Sequence, residues 1–278
     1  MSRFFGNDAR VKTTLDADSW TIEAIFTRLP ETQSKPARLL AERHTNRFSF
    51  AKQSIRWPNL PGQWPDGGRV LPIDNPSTIA AIGAAVETCS AARFNCRELH
   101  EWLFSSLRWS DTEAASGNGL DIATLNLPPG GRKFMRFMAP WQRMAVLNRF
   151  GLYKIMAATD ARPVYAAPGI VVIVGGREQR HIWEAGRIMQ ATWLELNAAG
   201  LAAHPYYVVT DIANRYATGR LDADWRAPVD KHLHALHETL GLPEGQQIHM
   251  LMRVGIATRP TKPSARLPLE RLLAPPEP

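Results

Sequence analysis

Residues 182–207, IWEAGRIMQATWLELNAAGLAAHPYY, read as one long buried helix that stops at a glycine and delivers the chain to a turn. Ile182, Ala185, Met189, Trp193, Leu196 and Ala199 recur at three- and four-residue steps, the spacing that lines up side chains on one helical face. Gly186 and Gln190 interrupt that face with a small and a polar group. Gly200 supplies the stop, because glycine tolerates the left-handed backbone that commonly ends a helix. Pro205 cannot continue a helix and fixes its own φ, so a rigid turn is expected around it, with main-chain groups facing whatever lies in front. Taken on spacing alone, this is a core helix followed by a loop.

Outward from that stretch the chain alternates helix with a few strands. GIVVIVGG (169–176) is a continuous β-branched run closed by two glycines, the pattern of a fully buried strand, and IHMLMRVGIA (248–257) reads as the last strand. WTIEAIFTRL (20–29) alternates as a strand does, and a short helix is expected over 37–42, entering RHTNRFSF. Residues 57–76, with WPNLPGQWPDGG, read as a surface loop, and 116–131, SGNGLDIATLNLPPGG, as another. Helix is expected over 76–107, started by Pro76 and Ser77, and again over 132–158. The second of these carries Phe134, Met135, Met138, Trp141, Met144, Leu147 and Tyr153, a row suited to core packing or to a substrate wall or lid. No internal repeat is visible, and the alternation implies a mixed α and β protein.

With 278 residues, 45% of them hydrophobic, the chain can bury a proper core and fits one large domain or two small ones. Lys and Arg number 33 against 26 Asp and Glu, a net charge of +7 that suits anionic ligands generally. The basic residues are scattered and never form the run of a nucleic-acid tail, so no nucleic-acid partner is expected. No apolar run reaches the ~20 residues of a spanning helix, and Met1 is followed by charged and polar residues rather than a signal peptide. A cytoplasmic protein without membrane partners is expected. Cys89 and Cys96, seven apart in expected helix, would stand roughly 10 Å apart along its axis, too far for a disulfide. Two thiols without a CxxC pattern fit a reducing compartment and no structural zinc.

Few residues announce chemistry. His232, His234 and His237 in HLHALH do not share one helical face, so they read as an exposed helix surface and no metal site is expected. VIVGGRE lacks GxGxxG and the lysine of a phosphate loop, and no GxSxG or paired-carboxylate signature appears; no catalytic acid, base or nucleophile is assigned. The arginines carry more. In Arg43-His44-Thr45-Asn46-Arg47 two guanidinium groups flank a hydroxyl, a grouping suited to a phosphate, since arginine offers a planar fork of donors. Ser264 and Arg266 follow the last strand in PSARLPLE. Each element taken singly reads as surface arginine.

In their order these motifs resemble the nitroreductase superfamily, FMN-dependent oxidoreductases of α+β fold. RHTNRFSF is similar to that family's early Arg-Arg-Ser-x-Arg-x-Phe element, with Arg43, Thr45 and Arg47 at the matching positions. AAGLAAHPYY resembles the helix end and proline-containing turn whose backbone faces the reactive nitrogen of the flavin, a place taken here by His204, Pro205, Tyr206 and Tyr207. RVGIATRPTKPSARLPLE resembles the closing strand and the late arginine, Arg266. RHTNR together with GLD-x-x-x-L-x-L over 119–127 is similar to the mycobacterial Acg-like branch, in which one chain carries two related halves.

The resemblance implies a nitroreductase-like α/β sandwich over 1–278, a central mixed or antiparallel sheet flanked by helices, with the first half incomplete if halves exist. It implies FMN held by Arg43, His44, Thr45, Arg47, Arg266 and the 204–207 turn. NAD(P)H would be the hydride donor and an electron-poor small molecule, a nitroarene or quinone, the acceptor; a homodimer is compatible. The family's Pro-Ser-x-x-Asn-x-Gln-Pro-Trp segment has no counterpart, so the chain reads as shortened at its N-terminus. Either the true start lies upstream, or the pocket is built differently, or flavin binding is lost. Two alternatives to a turnover enzyme therefore stand: a noncatalytic flavin-binding or sequestering protein, and a module of a larger biosynthetic protein.

Overall fold

The computed structural model describes residues 9–16, 19–26, 35–64, 67–263 and 265–271. The chain divides into two compact units, Met1–Arg43 and His44–Pro278. In the first, β1 (Ala9–Asp16) and β2 (Ser19–Phe26) pair antiparallel in the register Ala9↔Phe26 to Asp16↔Ser19, and helix α1 (Lys35–Glu42) follows. The expected strand over 20–29 is β2 as far as Phe26, and its last residues lie outside the described ones.

The second unit is built on a four-stranded sheet. It is made of β3 (Arg69–Ile73), β6 (Gly169–Gly176), β8 (Gln246–Gly255) and β7 (Ala202–Tyr206), in that spatial order and all antiparallel. The chain is an α+β protein. β6 sits inside the sheet, and its side chains alternate between two cores as the pleat requires. Ile170, Val172 and Val174 enter one core, and Val171 and Ile173 enter the other. That is why the run carries no polar residue: neither face meets water.

The first core lies beneath α2 (Pro76–Asn95), α7 (Leu152–Tyr165), α9 (Val208–Ala217) and α10 (Ala223–Thr239). Over the other face packs α8 (Gln179–Ala198), through Ala185, Ile188, Trp193 and Leu196. Its end is as expected: Gly200 takes φ +76°. The Leu201 N–H donates to Leu196 O at 2.9 Å and the Gly200 N–H to Asn197 O at 3.0 Å, the paired closure that satisfies the last carbonyls.

A third cluster, built on Leu107, Ile122, Met135, Met138 and Met144, lies among α3 (Arg97–Ser106), α4 (Asp111–Ala114), α5 (Gly131–Met138) and α6 (Trp141–Arg149). The methionines of the 132–158 row thus serve core packing, while Phe134 and Phe137 are exposed. Two short strands, β4 (Leu107–Arg108) and β5 (Leu120–Asp121), pair in parallel here.

Several expectations change. Helix 76–107 is two helices, broken at Cys96, whose extended backbone (φ −93°, ψ 115°) both ends α2 and starts α3. The two cysteines, both free, are therefore not on one continuous helix. Helix 132–158 is three helices, separated at Pro140, which lacks an N–H to continue, and at Gly151 with φ +86°. The surface loop over 57–76 contains β3, masked in the sequence by Pro72. Proline is tolerated there because β3 is an edge strand, so no ladder donor is lost.

Candidate functional site at the edge of strand β7

Pro205 belongs to a strand, not a turn. It pairs with Met252 on β8, and β7 is the other edge of the sheet. A proline cannot donate, so Pro205↔Met252 is a non-hydrogen-bonded pair, and by alternation Ala203↔Val254 is another. The main-chain groups of His204 and Tyr206 then point into β8, and those of Ala203 and Pro205 point outward. The Asn46 N–H donates to the outward Ala203 O at 3.0 Å, and Thr45 forms a parallel bridge to Ala203, adding a fifth, short position to the sheet edge. The rigid turn expected around Pro205 is thereby corrected to an edge strand, along which Pro205 offers only a carbonyl.

The covering segment 44–50 is fastened by an arginine that the sequence reading passed over. Arg253, inside β8 and 3% exposed, donates from Nη2 to Phe48 O at 2.9 Å and Asn46 O at 3.3 Å, and stacks 4.1 Å over the Phe50 ring. The same nitrogen lies 3.4 Å from His204 Nδ1, an acceptor when the ring proton is on Nε2. The signal was available: a charged residue inside a strand otherwise built for burial, HMLMRVG, must answer to something.

Around this arginine stand Arg47, His204 and Tyr206. Arg47 Nη1 donates to Thr124 Oγ1 at 3.4 Å, and the His204 and Tyr206 rings lie 4.4 Å apart. Burial lowers the pKa of Arg47 and of Arg253, and it holds His204 well below its ordinary 6.5, helped by the positive charges of Arg253 and Arg47. Burial pushes the Tyr206 hydroxyl up, and that hydroxyl donates to Asp160 O at 3.2 Å. The Asp160 carboxylate is itself held by Ser90 Oγ at 2.6 Å and Arg93 Nη2 at 3.0 Å. Among the described residues neither Arg47 nor Arg253 forms an ion pair, and Arg253 Nε is buried without a hydrogen-bond partner. Two desolvated guanidinium groups lacking a counter-charge fit an anion. Between Ile82, Tyr206 and Arg253 no space large enough for a water remains, so the sheet face itself is packed.

The other expected residues are placed as follows. Arg43 belongs to the first unit, where its N–H donates to Leu39 O at 3.0 Å just past α1. His44 and Thr45, half-buried, begin the second unit. Tyr207, 51% exposed, precedes α9 and accepts from the Asp211 N–H at 2.9 Å. Arg266 is exposed, and its main chain lies against Gly117, where a Cβ would stand 2.4 Å from Arg266 O. Lys262 holds the same tail to Asp111 at 3.4 Å and Asp121 at 3.6 Å. Arg266 and Arg47 thus reach one loop, at Gly117 and Thr124 respectively. Ser264 lies outside the described residues.

The neutral state of His204 has a measurable consequence. Below pH 6.5 an unfolded chain protonates this histidine while the folded one does not. The contribution is therefore complete above 6.5 and is lost as pH falls below it, at about 1.4 kcal/mol per pH unit. Urea unfolding at pH 6.5 and 5.5 should show a smaller loss in His204→Asn than in the wild type; equal losses would refute the assignment.

No family model matches the chain. It is 27% identical over 160 residues to an uncharacterized protein of Mycobacterium tuberculosis (strain CDC 1551 / Oshkosh), a match that covers 56% of this chain and 20% of that relative. The match thus spans about one fifth of the relative's length. Among solved structures, 86% of the chain aligns with 97% of an FMN and NADPH-dependent nitroreductase from Sphigopyxis sp. strain HMH, at 16% identity and a TM-score of 0.46. A nitroreductase with bound FMN from Desulfitobacterium hafniense DCB-2 gives the same coverage, at 12% identity and a TM-score of 0.46. Oxidized iodotyrosine deiodinase bound to FMN and 3-iodo-L-tyrosine aligns over 82% of this chain and 93% of its own, at 12% and 0.41. Among the described residues no helix is long and apolar enough to cross a membrane.

Proposed function

We propose that this chain is an FMN-dependent oxidoreductase of the nitroreductase kind, passing hydride from NAD(P)H to an electron-poor small molecule. The observation that carries the reading is the pair of guanidinium groups beside β7, Arg253 buried and Arg47 half-buried, neither with an ion pair among the described residues. They stand among the elements whose order in the sequence resembles that family. Arg47 and Arg253 would hold the anionic part of FMN, with Thr45 as a hydroxyl partner and Arg266 as a further cation. FMN, when bound, supplies the hydride-accepting ring.

The chain's own residues have a positioning task. Arg253 ties segment 44–50 to the sheet through the Asn46 and Phe48 carbonyls, so the arginine that meets the anion also fixes the backbone around Arg47. His204 stays neutral, with Nδ1 3.4 Å from Arg253 Nη2, and adds no third positive charge to the cluster. Tyr206, held protonated, anchors the edge to α7 through Asp160.

The test is the visible spectrum of the protein reconstituted with FMN, followed anaerobically on adding NADPH or NADH. A bound flavin that bleaches supports the oxidoreductase. A bound flavin that does not bleach turns the reading to a flavin-holding protein, and failure to bind FMN overturns both. Arg47→Ala should weaken FMN binding about 10- to 100-fold, the loss of one or two charge-assisted hydrogen bonds.

A further inference from the structure

Away from β7, a cavity of about 600 Å³ opens between α9, α10, the first residues of β8 and the start of α8. Its distance from the flavin site follows from β8: Ile248 lines it, and Arg253 lies five residues further on, roughly 17 Å along the strand. Asp230, Leu233, His234 and His237 of α10 all line it, and their three- and four-residue spacing makes them one stripe of that helix. The cavity's volume is that of a small-molecule site.

Its polar groups are sorted by position. At one end Arg177 and His237 both line the cavity, and burial, with the charge of Arg177, lowers the histidine's pKa. Among the described residues Arg177 forms no ion pair, and the neighbouring Glu178 is taken by Arg180 at 2.9 Å. At the other end the Asp230 carboxylate accepts from the Tyr216 hydroxyl, which raises the pKa of Tyr216. His237 and Asp230 are seven residues apart on α10, about 10 Å along its axis. Between them Leu233, Val209 and Ile182, a large side chain left 55% exposed, give an apolar stretch, with His234, Asn214 and Gln247 also on the wall and His234 directed to Glu238 at 3.4 Å.

We propose that this cavity is a second binding site, taking a small aromatic acid whose carboxylate meets Arg177 and His237 and whose far hydroxyl or amine, about 10 Å away, meets Asp230. The site is independent of FMN, because it shares no residue with the β7 edge. The apolar body of such an acid covers Leu233 and Ile182 as its charge enters the Arg177 end. Asp230 accepts from the far group and would repel a second acid there, so the site selects a monoacid.

The probe is 6-hydroxy-2-naphthoate, titrated calorimetrically into the full chain saturated with FMN, with 2-naphthoate as its counterpart lacking the hydroxyl. One saturable site is expected, with a Kd near 100 µM by the usual yield per heavy atom. Arg177→Gln, a change at an exposed position, should weaken it about 10-fold, and Leu233→Trp, which puts a bulky ring where the apolar body of the ligand would lie, should weaken it at least as much. In the wild type the hydroxyl should improve affinity several-fold, and in Asp230→Asn that preference should shrink. No saturable binding below 1 mM (about ten times the expected Kd), or undiminished affinity in Arg177→Gln, overturns the proposal. Should Leu233→Trp fail to fold, Arg177→Gln decides alone. The same titration on protein that cannot be loaded with FMN would separate failure of the flavin reading from failure of this one.

Discussion

Arg253→Met is expected to leave the protein folded but to cost FMN affinity about 100-fold or more, the largest effect of any single change at the site. The reasoning combines two roles. As a charge, Arg253 is the buried guanidinium of the site and forms no ion pair among the described residues, and methionine removes that positive charge from the anion. As a donor, it holds the Asn46 and Phe48 carbonyls, and methionine leaves both without their bond, loosening the backbone on either side of Arg47. Each carbonyl left unsatisfied costs about 1 to 3 kcal/mol, while relief of the buried charge returns part of that sum. Net destabilisation of the flavin-free protein should therefore stay near 1 to 3 kcal/mol. Fluorescence titration with FMN and urea unfolding measure the two effects separately. Unchanged FMN affinity would remove Arg253 from the site and with it the observation on which the flavin reading stands. Arg253→Lys keeps the charge but ends short of the Nη2 position that holds both carbonyls, so it should recover only part of the affinity.

The parts of this fold that were legible in the sequence are those where one local rule acts alone. The end of α8 is fixed by a glycine with φ +76° and two short closing bonds, both set within six residues. β6 is visible because both its faces are buried. The misread parts are those where tertiary context decides. Pro205 and Pro72 look like turn residues, yet each occupies an edge strand where the missing donor faces away from the sheet. No periodicity says which strands will be edges. The breaks at Cys96 and Gly151 divide helices whose apolar rows continue across them, because the successive helices pack on different cores.

The site divides in the same way. Thr45, Arg47, His204 and Tyr206 lie within elements that motif order singles out, and they stand along one edge. Arg253 had no motif. It is conspicuous only once the strand around it is known to be buried, when a lone charge among Met250, Leu251, Met252 and Val254 calls for a partner. The cavity beside α10 was equally out of reach. HLHALH looks like a polar helix surface until α9 and β8 are set against it.

Gly255→Val is expected to be the most damaging change to the coupling of sheet and site, although position 255 bears no functional group. Gly255 ends β8, and a Cβ there would stand 2.7 Å from Phe50 Cδ2, 2.8 Å from Phe50 Cβ and 2.8 Å from Pro168 Cγ. Phe50 Cβ cannot swing away as the tip of a long chain can, so the backbone at 50 must move. That backbone is held by the Ala51 N–H to Ile256 O at 2.9 Å and by the Phe50↔Ala257 bridge, and its ring lies 4.1 Å from the Arg253 guanidinium carbon. Overpacking of this kind costs about 1 to 3 kcal/mol, and a unit of this size loses roughly 2 to 4 °C in Tm per kcal/mol. The displacement is directed at segment 44–50, so FMN affinity should fall further than the Tm loss implies, by about 10-fold beyond the unfolded fraction. Gly255→Ala meets the same contacts with one carbon and should show a smaller version of both effects. If Gly255→Val lowers Tm and leaves FMN affinity intact, segment 44–50 is not part of the flavin site, and the cation pair must bind its anion without the backbone that Arg253 holds.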